Sequence, residues 1–136
     1  MLVEKHEQII QEVLDEIDSA LKDSKGLVAH QRRLAFTLSL GAENLLELYF
    51  HKQNIMKGGA KLDHRWFKRK KESIFNQLSN QITTPITSVK DLDKFVLLIC
   101  KIEDNRDELA YGSPTTDIIL QKKINLFFEL KKVLKC

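Results

Sequence analysis

Residues 29–51, AHQRRLAFTLSLGAENLLELYFH, decide how the rest of this sequence is read. Leu34, Leu38, Ala42, Leu45 and Tyr49 recur at three- and four-residue steps, and Phe36, Leu40, Leu46 and Leu48 widen the apolar arc. That period belongs to an amphipathic helix, so the stretch predicts one long helix from about Ala29 to His51. Gly41 falls in its middle. It marks either a close backbone approach by a neighbour or simple tolerance of one weak helix former.

The same period extends outward in both directions. Over residues 2–23, Val3, His6, Ile10, Val13, Ile17 and Ala20 form one face with acids between them, and Asp23-Ser24-Lys25-Gly26 ends the helix as a turn. Downstream, the loop Lys57-Gly58-Gly59-Ala60 leads to a third helix expected from Asp63 to Gln81, with Phe67, Ile74, Leu78 and Ile82 on one side. Pro85 breaks the pattern. Ser88-Val89-Lys90-Asp91 resembles a capping box for a fourth helix, which runs through Phe95, Leu98, Ile99, Ile102 and Leu109 until Gly112 ends it. Thr115 or Thr116 caps a fifth, with a broad apolar face from Ile119 to Leu134 and with Lys131, Lys132 and Lys135 suiting its carboxyl end.

Five such helices in 136 residues predict an all-α, up-and-down bundle forming one domain over residues 1–136. Composition agrees. Hydrophobic residues at 43% suffice for a core, and only 5 Gly and 2 Pro argue against a turn-rich β-sandwich or barrel. The longest apolar run, Phe95 to Cys100, falls far short of the ~20 residues that span a bilayer. The opening Met1-Leu2-Val3-Glu4-Lys5-His6-Glu7 is acidic and amphipathic, unlike a secretory signal, so a cytoplasmic location is expected. Cys100 and Cys136 are expected as thiols, since two cysteines make no disulfide framework.

The net charge of +3 is unevenly spread. Residues 1–55 carry 6 bases and 9 acids, residues 56–90 carry 8 and 2, and residues 91–136 carry 8 and 8. The basic character therefore lies in one segment. Lys57–Lys71 includes Arg65, Lys68, Arg69 and Lys70 with Trp66 and Phe67 embedded among them. Such a segment could neutralise phosphates while Trp66 stacks on an unpaired base, or it could be a solvated helix face with both rings turned inward.

Other chemistry is sparse. His6, His30, His51 and His64 lie far apart in sequence, Cys-x-x-Cys is absent, and no Gly-rich phosphate loop follows a strand, so no metal or cofactor is implied. His6, on the apolar face of the first helix, fits a core-edge residue better than a ligand. The sharpest local signal is Glu103-Asp104-Asn105-Arg106-Asp107-Glu108-Leu109-Ala110-Tyr111-Gly112. On a continuous fourth helix Arg106 would point with Phe95, Ile99 and Ile102, near the middle of the apolar arc. A guanidinium there must meet a carboxylate such as Glu43, a subunit interface or an anionic ligand.

The run from Arg106 to Gly112, late in the bundle and just before the last helix, resembles the signature of the HEPN family (higher eukaryotes and prokaryotes nucleotide-binding): an Arg, a polar residue, three further residues and a His. Ala35–Leu48 is similar to that family's long second helix, and the resemblance covers residue 28 to the end. It implies a bundle that pairs as a homodimer with the two motifs facing across a cleft. In active members RNA is cleaved without a metal. Carried over, Arg106 would bind the scissile phosphate, Asp107 would orient it, and Tyr111 occupies the position of the histidine. A phenol with a pKa near 10 is a poor base at neutral pH, which counts against turnover. Some members carry a Tyr two positions after the His that a partner nucleotidyltransferase modifies; here Ser113 stands there.

The resemblance implies a nucleotide-, RNA- or partner-binding protein, one whose partner could be a nucleotidyltransferase in a toxin–antitoxin-type pair. The alternatives are a metal-independent endoribonuclease using Arg106 at a dimer cleft, and a bundle with Arg106 merely paired inside.

Overall fold

A computed structural model of the chain describes residues 2–135; Met1 and Cys136, with the thiol expected at the latter, lie outside it. Six α-helices occur in order: α1 (Val3–Lys22), α2 (Gln31–Lys52), α3 (Lys71–Ser79), α4 (Leu92–Glu103), α5 (Arg106–Tyr111) and α6 (Asp117–Val133). Short 3-10 turns lie at Leu27–His30, His64–Lys68 and Ile86–Ser88. Among the described residues there is no strand, only an isolated antiparallel bridge between Met56 and Ile82. The fold is therefore all-α, a bundle of about five helices as expected, with α5 as a short sixth. No helix in it is long and apolar enough to cross a membrane.

α2 is the centre. It packs against α1, α4, α5 and α6, and α4 packs against α6. Its width of apolar arc explains this, because Leu34, Leu38, Ala42, Leu45, Leu46, Leu48 and Phe50 are all buried and point to different neighbours. Gly41 is a point of close approach. A Cβ there would lie 2.5 Å from Phe127 Cε1 and 2.9 Å from Val13 Cγ1, so α1 and α6 come together over the missing side chain. On α1, His6, Ile10, Val13, Ile17 and Ala20 face inward as their spacing predicts. Thr116 caps α6, its hydroxyl accepting from the Ile119 N–H at 3.3 Å.

Three expectations fail for identifiable reasons. The helix expected over 63–81 is broken: a 3-10 turn capped by Asp63 ends at Lys68, Arg69 and Lys70 are extended, and α3 begins at Lys71. Four consecutive cations, Lys68–Lys71, would repel one another if wound into one turn. The capping box at 88–91 does not form. Ser88 Oγ donates instead to the Pro85 carbonyl at 2.6 Å, and Asp91 precedes α4 in a left-handed conformation without a side-chain cap bond.

The third concerns the fourth helix, which stops at Glu103. Asn105 adopts φ +59°, a region asparagine tolerates better than most residues, and α5 restarts in a different phase. The carbonyls left open at this break are met from α6. The buried Lys123 ammonium donates to Lys101 O at 2.6 Å and also to the carbonyls of Ile102 and Asp104. Gly112 does end α5, but in extended backbone. Glycine is needed because a Cβ there would lie 2.5 Å from the Glu108 carbonyl oxygen.

Candidate functional site

The break at Asn105 sets the position of Arg106, and two α2 side chains hold the segment from Leu109 to Thr115. Gln31 Nε2 donates to Leu109 O (3.0 Å) and Ser113 O (3.2 Å), and its Oε1 accepts from the Thr115 N–H at 2.8 Å. Arg32 Nη1 donates to Ala110 O at 2.8 Å. With Leu109 and Ala110 buried beneath, α5 is tied to the start of α2 rather than continuing α4.

Arg106 does not lie mid-arc of a continuous helix, and Glu43 is not its partner. Its guanidinium lies over the Phe36 ring, 5.0 Å from the centroid, with Nη1 3.0 Å from Asp107 Oδ1 and Nε buried without a hydrogen bond. The side chain is 14% exposed. Asp107 Oδ2 takes Lys68 Nζ at 2.8 Å, and that bond, foremost, holds its carboxyl below the usual range. Tyr111 stands 71% exposed with its ring edge-on to Phe36, centroids 5.7 Å apart. The fold thus gathers Arg106, Asp107 and Tyr111 around Phe36.

Of the cations in the basic segment, Lys68 bonds to this group, and its neighbour Phe67 lines the cavity beside Arg106. Arg65 turns back to Asp63, Nη2 to Oδ2 at 2.6 Å, and hydrogen bonding from Arg65 lowers the Asp63 carboxyl to about 2. Phe67 is buried, Trp66 is half-buried against the core, and Arg69 and Lys70 are exposed. A 510 Å³ cavity beside Arg106 is walled by Lys68, Lys101 and Arg106 against Glu103, Asp104, Asp107 and Glu108. Asp107 bridges two of these cations, Lys68 and Arg106.

Sequence reasoning missed a buried polar cluster centred on Glu103. Ser39, Glu43 and Glu47 stand at four-residue steps on one face of α2 and meet Glu103 and the 61–68 turn. Glu103, 1% exposed, accepts from Ser39 Oγ at 2.5 Å through Oε1, while Oε2 lies 3.4 Å from His64 Nδ1. Glu43 accepts the His64 backbone N–H, and Glu47 accepts the Leu62 N–H at 2.8 Å. Burial raises the carboxyls of Glu43, to about 7, and of Glu103. The available signal was the i, i+4, i+8 spacing of Ser39, Glu43 and Glu47 inside an apolar helix, where polar residues have to be satisfied by something.

The histidines far apart in sequence are partly brought together. His6 is fully buried, donates from Nδ1 to Asn44 Oδ1 at 2.8 Å and stacks obliquely on His51 at 5.1 Å. It is a satisfied core residue at that nitrogen. No group of three His, Cys, Asp or Glu among the described residues converges as metal ligands do. Compared with known proteins, the chain matches no family model, no curated protein and no solved structure.

Proposed function

We propose that this chain is a HEPN-like RNA- or nucleotide-binding module that pairs with a second copy through the face around Arg106. One observation carries this reading. A guanidinium oriented on an aromatic ring and held by Asp107 sits at the wall of a cavity, beside an apolar patch of Phe36, Leu40 and Tyr111 that is 40%, 46% and 71% exposed. Arginine presents planar donors to a phosphate, and an exposed apolar rim favours association with a matching surface. Tyr111 does not serve as a base here, so the motif alone supports binding without turnover.

The test is anisotropy of a labelled single-stranded RNA in chelator. Arg106→Ala is expected to weaken binding roughly tenfold or more, whereas Asp107→Asn, which frees two cations, tightens it several-fold, and both effects shrink as salt rises. Equal affinity of the parent and Arg106→Ala at low salt would overturn the reading. A second reading, a metal-independent endoribonuclease, is favoured by a separate observation: an imidazole, that of His64, stands on the carboxylate that also borders the Arg106 cavity.

A further inference from the structure

The basic segment carries the chain's one tryptophan, and the cavity at Arg106 does not include it. Trp66 is half-buried: it packs against the core and also lines a 550 Å³ cavity with Glu43, Lys61, His64 and Arg65. Small-molecule sites occupy about 300–1,000 Å³, so the volume is that of a binding cleft. The cavity at Arg106 shares no lining residue with it.

The wall is held in place by the protein itself. The Leu62 N–H donates to Glu47 Oε1 at 2.8 Å, the Lys61 N–H to Gln81 Oε1 at 3.4 Å and the Arg65 N–H to Asp63 Oδ1 at 2.9 Å. The Arg65 guanidinium is pinned by the same Asp63 carboxylate, Nε at 3.0 Å and Nη2 at 2.6 Å, which leaves Nη1. His64 faces Glu103 at 3.4 Å. Glu43 is different. Among the described residues it accepts from the His64 backbone N–H and pairs with no cation. An ionised carboxylate has about four acceptor positions and no donor, so this one is short of donors.

A ligand that fits offers two adjacent N–H donors to Glu43, a flat face to Trp66 and negative charge to Lys61 and Arg65. Among the standard nucleobases guanine alone meets the first condition, because N1–H and the N2 amine stand side by side on its Watson–Crick edge. Adenine and cytosine set an acceptor beside their amine, and uracil flanks its one donor with carbonyls. An arginine from a basic peptide also presents two parallel donors. Residues 56–90 carry 8 bases against 2 acids and repel such a partner.

We propose that the cavity lined by Glu43 and Trp66 is a guanine nucleotide site: the base stacks on Trp66, its N1–H and N2 amine donate to Glu43, and its phosphate lies against Lys61 and Arg65. The site stands apart from the one at Arg106, since neither cavity borrows a residue of the other.

Trp66 is the only tryptophan, so its emission reports the stacking directly. The full chain is titrated near pH 8, above the value of about 7 to which burial, with Glu103, Glu47 and Asp63 adding like charge, raises the Glu43 carboxyl. Saturable quenching by guanosine monophosphate is expected, with about tenfold or more higher affinity than for adenosine, cytidine or uridine monophosphate, and inosine monophosphate, which lacks the N2 amine, between them. Glu43→Gln turns one acceptor into a donor and should lose the preference for guanine while circular dichroism shows it folded. Lys61→Ala should weaken all the nucleotides several-fold and flatten the salt dependence. An oligouridine carrying one guanine, beside one carrying none, identifies the source: quenching about tenfold tighter than by the free nucleotide indicates a single strand, and equal affinity indicates the nucleotide itself. Absence of saturable quenching, equal affinity for guanosine and adenosine monophosphates, or a guanine preference that survives in folded Glu43→Gln would each overturn the site. None of these outcomes bears on Arg106, whose role is read from strand affinity in its own variant.

Discussion

Glu43 shows how one side chain couples burial to pH. Burial raises its carboxyl from 4.5 to about 7, against the lowering effect of the His64 N–H that it accepts. A carboxyl that holds its proton more tightly in the folded chain favours the folded state only while protonated. Stability therefore declines as pH rises from about 4.5 to about 7, and stays lower above that. Glu43→Gln keeps an acceptor for the His64 N–H and cannot ionise. It should be about 1–2 kcal/mol more stable than the parent near pH 8, a figure reduced for partial exposure, and no more stable near pH 4. Urea midpoints at the two pH values check this, and an equal gap at both would contradict it. The residue scale is also where the sequence was least informative. Ser39, Glu43 and Glu47 were visible as polar positions in an apolar helix, but their partners Glu103, His64 and Leu62 lie up to 64 residues away and no local pattern links them.

At the scale of elements, the long helices were legible because each satisfies its own backbone and shows its buried face as a period. α1, α2 and α6 keep to that period to within a residue or two of their observed ends. The breaks were not legible. Asn105 turns left-handed only because α5 is held by Gln31 and Arg32 and the open end of α4 is filled by Lys123 from α6. The helix does not run on past Glu103 as expected, and Arg106, largely buried as its position implied, rests on Phe36 beside Asp107 and not against Glu43. Gly41 was legible as a question with two answers, and packing supplies the answer. Gly41→Ala gains about 1 kcal/mol of helix propensity but drives a methyl into Phe127 and Val13, and overpacking of this kind costs about 1–3 kcal/mol. The expected net result is a lower thermal midpoint; an unchanged or higher one would mean that α1 and α6 move apart without cost.

At the scale of the whole molecule, association is the open quantity that the proposed function depends on. Leu40 lies one helical turn from Phe36 on the exposed rim of α2, away from the Arg106 ring contact itself. If the face pairs with a second copy, the parent chain is expected to run as a dimer at micromolar concentration by light scattering. Leu40→Glu should run as a folded monomer, because two carboxylates would then be buried opposite each other without partners. A parent chain that stays monomeric sinks the shared cleft. Fold class, helix faces and the location of basic charge came from the sequence alone, since helical periodicity and composition are local and additive along a chain. The tertiary structure alone decided that Arg106 rests on Phe36 beside Asp107, that Lys68 is the one cation of its segment to reach it, and that Ser39, Glu103 and His64 converge. Those facts depend on where helices stop and on which buried polar groups find each other across the bundle, and both are settled by packing between segments distant in sequence.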